Sequence, residues 1–139
     1  MPVKALIVDD SAPARQLIKH YLSKMGCLIA GEATNSADGL KLFRELKPDV
    51  VTLDLMMPKR DAADTLDAMV ALRTMKKEAP ALVIVVVSAI PFQKTIDSFL
   101  NEGIIDYVVK PFTQYSFDPA ARKLEKIFPE LGSSISFHR

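Results

Sequence analysis

The chain has 139 residues, 49% of them hydrophobic, which is enough for one domain with its own core and too few for two. Its 18 basic residues offset 17 acidic ones, so no bulk charge draws it onto nucleic acid or holds it unfolded, and any charged function must be local. The longest apolar run, ALVIVVVSAI at 81–90, is far short of the ~20 residues that cross a bilayer, and acids stand where a leader peptide would be cut, so the chain reads as cytoplasmic and free of membrane.

Short β-branched runs alternate with longer segments of helical period. The first strand is expected over Val3–Val8 and runs straight into Asp9, Asp10 and Ser11. Pro13 suits a first helical turn, where its missing N–H is not needed. Leu17, Ile18, Tyr21, Leu22 and Met25 then form one apolar helix face. Cys27–Glu32 reads as the second strand, followed by a helix with Leu40, Phe43 and Leu46 inward. Cys27 is the sole cysteine, so no internal disulfide forms, and with no His or second Cys beside it the thiol reads as a small buried hydrophobe.

Val50–Asp54 is the third strand, Thr65–Met75 the third helix, Leu82–Val87 the fourth strand, and Ile96, Phe99 and Leu100 mark the fourth helix. Ile104–Lys110 is the fifth strand. Phe117, Ala121, Leu124 and Phe128 give a fifth helix face, with two possible starts. Asp118-Pro119 can be its cap and first residue, or Thr113 can cap it and leave Pro119 to distort the first turns. Beyond Phe128 the sequence PELGSSISFHR is polar and broken by Pro and Gly. The expected domain is therefore 1–128, with a loosely held tail over 129–139.

Alternating strands and helices imply crossover connections, hence an α/β fold with a doubly wound parallel sheet. The third and fourth strands are apolar nearly throughout, as central strands covered on both faces should be. In such sheets the ligand site lies beyond the carboxyl ends of the strands. Those ends carry Asp9 and Asp10, Asp54, Ser88 and Lys110, with Glu32 a weak addition from the second strand. In the order 2-1-3-4-5 the three aspartates converge on one crevice bordered by Ser88 and Lys110.

Three carboxylates in one crevice call for a proton or a cation. An all-oxygen set without His or Cys suits a hard cation such as Mg²⁺, which takes one or two carboxylates and shares a phosphate. A carboxylate can also act as a nucleophile and form an aspartyl phosphate. Lys110 would neutralise phosphoryl oxygens and the Ser88 hydroxyl would donate to another, which together make a phosphoryl-transfer site built on positioning and charge.

IVDDS at 7–11, DLMMP at 54–58, VVVSA at 85–89 and DYVVKPF at 106–112, in that order at strand ends, resemble the receiver domain of two-component response regulators, the family that includes the chemotaxis receiver. The resemblance runs from about Pro2 to Phe128. It implies that Asp54 is the phosphoryl acceptor. Asp9, Asp10, the Asp54 side chain and the Met56 backbone carbonyl would then hold Mg²⁺, and Ser88 would be the switch hydroxyl. Lys110 would be the phosphate-binding lysine, its bond to Pro111 cis, and Tyr107 the aromatic that swings inward when Ser88 moves. The implied function is a stand-alone signalling switch phosphorylated by a sensor histidine kinase or a phosphotransfer protein. Such a switch is no enzyme beyond its own phosphorylation and dephosphorylation. Output would be contact with a downstream target protein, with dimerisation through helix four, strand five and helix five available. No DNA-binding segment follows, and the initiating Met favours a whole protein over an excised domain.

Three features depart from the family pattern: Ala62 where Gly is usual, a long Asp61–Pro80 segment, and Pro119. Met56 and Ile90 stand two beyond Asp54 and Ser88, where side chains tune phosphate loss in the family. Both are apolar, so a long-lived phosphoryl group is expected. Each site residue also has a plainer reading. A DD pair can merely cap a helix, Asp54 and Ser88 can be turn residues, and Tyr107 can be rim packing. His20 and His138 read as surface residues, and Lys59 and Arg60 as a solvated loop pair. A haloacid dehalogenase-type phosphatase would need an aspartate at position 56, and a flavodoxin-like cofactor carrier a Ser/Thr/Gly-rich first loop. A pseudo-receiver that only binds partners would not need the full acidic set.

Overall fold

The computed structural model describes residues 2–55 and 67–132. Five strands, β1 (Lys4–Val8), β2 (Leu28–Ala33), β3 (Val50–Leu53), β4 (Val83–Ser88) and β5 (Asp106–Val109), form one sheet in the order β2-β1-β3-β4-β5, every pair parallel. The expected order and class hold, with strand limits displaced by a residue or two. Val3 and Cys27 are buried but lie outside the ladder, and Asp54 lies just past it.

Strand side chains alternate between the two faces. Ala5, Ile7, Val85 and Val87 pack under α1 (Ala12–Met25) and α5 (Gln114–Ile127), against Ile18, Leu22, Phe117 and Leu124. Leu6, Val8, Ile84 and Val86 pack on the other face against Phe43 of α2 (Ser36–Leu46), Leu72 and Met75 of α3 (Ala68–Glu78) and Phe99 of α4 (Gln93–Asn101). Each fully buried aliphatic side chain contributes about 1.5–3 kcal/mol of transfer free energy, so the two cores dominate stability. Close packing also explains Gly39, since a Cβ there would stand 2.9 Å from Val8.

Helix starts follow the local sequence. The Ser11 Oγ accepts the Ala14 N–H, Asn35 caps α2 through the Asp38 N–H, and Asp67 caps α3 through Val70. Gly26 ends α1 at φ 103°, a left-handed backbone that suits glycine. Of the two starts expected for α5, the structure takes Thr113, whose hydroxyl accepts the Ser116 N–H while Ser116 Oγ accepts the Thr113 N–H. Pro119 thus lies inside the helix.

The expectation of a loosely held tail from 129 fails for its first residues. Pro129–Leu131 form a short 3₁₀ turn, η1, and Leu131 is 1% exposed within the α1/α5 core. A single leucine reaching a hydrophobic pocket outweighs the polar character of its neighbours. Expectations at Met56, Lys59, Arg60, Ala62, the start of the Asp61–Pro80 segment and His138 lie outside the described residues.

Candidate functional site

Register brings the strand ends together. Val8 pairs with Leu53, and the Asp54 N–H donates to the Val8 carbonyl at 2.9 Å, so Asp9 and Asp54 leave the sheet side by side. Across β4 and β5, Ser88 pairs with Val109, and the Lys110 N–H donates to the Ser88 carbonyl at 2.8 Å. Asp9, Asp54 and Ser88 are buried and Asp10 is exposed, which leaves the crevice open to solvent on one side.

The carboxylates of Asp9, Asp10 and Asp54 each offer an oxygen within 4.8 Å of the others. Lys110 Nζ stands 2.7 Å from Asp9 Oδ2 and 3.3 Å from Asp54 Oδ2. Burial alone would lower the Lys110 pKa, yet its bond to Asp9 and the charges of Asp54 and Asp9 hold it above the ordinary lysine value. Asp9 Oδ1 accepts the Ser11 N–H at 2.9 Å, whereas Asp9 Oδ2 is buried with no aligned hydrogen bond among the described residues. Three clustered carboxylates, two of them against Lys110, fit an oxygen-liganded cation. Glu32, the weak candidate, lies outside this group and is bound by Arg15 and Lys19, whose contacts draw its pKa down.

Ser88 Oγ accepts the Ile90 N–H at 3.2 Å. The Tyr107 hydroxyl donates to the Ile90 carbonyl at 2.7 Å, so the loop after β4 ties both residues. Burial pushes the Tyr107 phenol up, the Ser88 hydroxyl acts against it, and the Asp54 charge adds the smallest push upward. Lys110-Pro111 is cis. Beside the acids lies a recess of about 330 Å³ lined by Pro13, Ala14, Leu17, Ala89, Lys110, Pro111 and Phe112.

The structure therefore brings together Asp9, Asp10, Asp54, Ser88 and Lys110 and sets Tyr107 at their edge. Arg15 was missed in the sequence, although its Nη1 donates to the Asp9 carbonyl at 2.8 Å. Its signal was an arginine one helical turn beyond Ser11, able to reach back toward the helix start. His20 is exposed and Cys27 buried, as their sequence settings imply. Among the described residues no helix is long and apolar enough to cross a membrane.

Residues 5–121 match a family model described as the response regulator receiver domain. Chemotaxis protein CheY of Thermotoga maritima is 36% identical over 126 residues, spanning 91% of this chain and 100% of that protein. The probable C4-dicarboxylate response regulator DctR of Bacillus subtilis is 33% identical over 78% of this chain, which spans 46% of that relative's length. The response regulator domain of Thermotoga maritima CheB superposes with a TM-score of 0.70 at 29% identity, covering 95% of this chain and 98% of that one. The CheX-CheY-BeF3-Mg complex from Borrelia burgdorferi gives 0.77 at 21% identity, covering 92% and 90%, a likeness of fold. With the acidic crevice at the strand ends and the family model matched along most of its length, the chain belongs to the response regulator receiver domains.

Proposed function

We propose that this receiver takes a phosphoryl group on Asp54 and works as a signalling switch. The observation that carries the reading is the convergence of three carboxylates, Lys110 and the buried Ser88 hydroxyl at adjoining strand ends. An Asp54 oxygen forms a bond to phosphorus as the bond from phosphorus to the donor nitrogen or oxygen breaks, and the electron pair leaves with the donor. Hydrolysis later returns the carboxylate and releases inorganic phosphate. Asp9, Asp10 and Asp54 would hold Mg²⁺, with the Met56 carbonyl as the further ligand that the family pattern implies. The ion would supply neutralisation of phosphoryl charge.

Lys110 is positioned to exchange its carboxylate partners for phosphoryl oxygens. Ser88 would turn from the Ile90 N–H toward the new dianion, and Tyr107 would move into the space Ser88 leaves, changing the face around α4. The donor is a sensor histidine kinase or a phosphotransfer protein. The output is contact with a downstream target protein, with dimerisation through α4, β5 and α5 as one form. The chain acts in the cytoplasm and turns over no substrate besides its own phosphoryl group.

Intact mass after incubation with acetyl phosphate, with and without Mg²⁺, tests the reading on the wild type and on Asp54→Asn. One added phosphoryl group that needs both Mg²⁺ and Asp54 is expected. An unchanged wild-type mass in the presence of Mg²⁺ would mark a domain that only binds partners.

A further inference from the structure

Asp9 is held at every polar atom. Its N–H donates to the Ala33 carbonyl at 2.9 Å, Oδ1 accepts from Ser11, Oδ2 faces Lys110, and its carbonyl accepts from Arg15 Nη1 at 2.8 Å. Asp10 differs, for its side chain is exposed and among the described residues nothing bonds its carboxylate. Where that carboxylate points depends on the peptide unit joining the two residues.

That unit is planar, so the direction of the Asp9 carbonyl fixes where the Asp10 Cα leaves it. Arg15 binds that carbonyl through Nη1. It lies one turn into α1, and its side chain is 19% exposed. While Nη1 binds the Asp9 carbonyl, Nε donates to Glu32 Oε1 at 3.2 Å, and the other Glu32 oxygen lies 2.7 Å from Lys19 Nζ. A planar guanidinium tied at both ends cannot swing away from the peptide. β2 carries Glu32 opposite Ile7 of β1, so the tie anchors the acidic turn to the edge of the sheet.

We infer that Arg15 is a positioning residue which, braced by Glu32, holds the Asp9–Asp10 peptide so that the Asp10 carboxylate faces the cation site. The inference rests on reading the acidic cluster as a Mg²⁺ site and adds the device that orients one of its ligands.

Two effects of removing Arg15 have opposite signs. Through space, loss of a positive charge near a cation site would strengthen Mg²⁺ binding. Loss of the brace would weaken it, since groups that orient metal ligands typically contribute about 10- to 100-fold in affinity. The sign of the change therefore separates positioning from simple charge.

Calorimetric titration with Mg²⁺ alone tests this on the full chain, using wild type, Arg15→Met, Glu32→Gln and Lys19→Met. Arg15→Met keeps the apolar stem and is expected to bind Mg²⁺ about tenfold more weakly. Glu32→Gln frees one end of the brace and also removes a negative charge, and since both weaken cation binding it should be about threefold weaker. Lys19→Met, which loses a contact to Glu32 only, should stay within about twofold. In acetyl phosphate reactions, the Mg²⁺ concentration giving half the maximal rate should rise for Arg15→Met while the rate at saturating Mg²⁺ is kept. Should Arg15→Met fail to fold, Arg15→Lys carries the test, because it keeps the positive charge and loses the two-ended guanidinium, so weaker Mg²⁺ binding there cannot come from charge. Mg²⁺ binding as tight as wild type, or tighter, in the folded variant overturns the inference and leaves the cation site standing. A wild type that takes up no Mg²⁺ overturns both.

Discussion

Lys110 Nζ lies closer to Asp9, at 2.7 Å, than to Asp54, at 3.3 Å. The lysine thus leans on a carboxylate other than the proposed acceptor and spans the two acids. Lys110→Met would leave both buried acids without this ammonium, and removing one partner of a buried pair is costly. With the Lys110 side chain 18% exposed, a loss of about 2 kcal/mol is expected in Mg²⁺-free buffer. Mg²⁺ at a hundred times its Kd would return up to ~2.7 kcal/mol. Urea denaturation with and without Mg²⁺ measures both effects, and equal stability of wild type and variant without Mg²⁺ would refute the pairing argument.

Cys27 makes stability depend on alkaline pH. Burial first, and the Asp49 charge second, push its thiol from 9.0 up to about 11. The unfolded chain thus ionises this thiol at lower pH than the native chain does, so the native state binds more protons between those values. The associated stability is fully present below pH 9 and is lost as pH rises through 11. The wild type should lose about 2 kcal/mol over that window relative to Cys27→Ala. Denaturation midpoints from pH 8 to 11 measure the difference, and parallel curves for the two proteins would contradict it.

Pro119 lies inside α5, where it offers no N–H to the Tyr115 carbonyl one turn back. Its ring is exposed and packs little. Pro119→Ala should therefore stabilise the protein by about 1–3 kcal/mol, read from the urea midpoint. Destabilisation would mean that the proline shapes the start of α5 in a way the core needs.

Apolar residues at 56 and 90 should slow phosphate loss, because neither can orient an attacking water. Met56→Asn should shorten the phosphoryl lifetime several-fold, with decay followed by intact mass after the donor is removed. Equal or slower decay in the variant would dispose of the idea.

Strands β1, β3, β4 and β5 were legible because they are rich in Val, Ile and Leu and run into a polar residue, and in a parallel sheet every such end falls on the same side. Asp9, Asp54, Ser88 and Lys110 could be grouped in advance for that reason. What stayed hidden were contacts set by the angle of a helix to the sheet. Arg15 reads as a surface residue of α1 until α1 lies across β2 and brings Glu32 within reach. Leu131 reads as part of a polar tail until η1 turns it under α1. The start of α5 was ambiguous because Thr113 is followed at the third helical position by Ser116, a weaker signal than Glu or Gln there.

Leu131 closes the end of the α1/α5 core farther along the chain than the matched family span, which stops at residue 121. The buried core thus extends past the residues that the family model matches. A fragment cut at 121 would lack Leu124, Phe128 and Leu131 together and leave the remainder of the α1/α5 core incompletely covered. A cut made before Leu131 would therefore remove part of the core along with the chain beyond it.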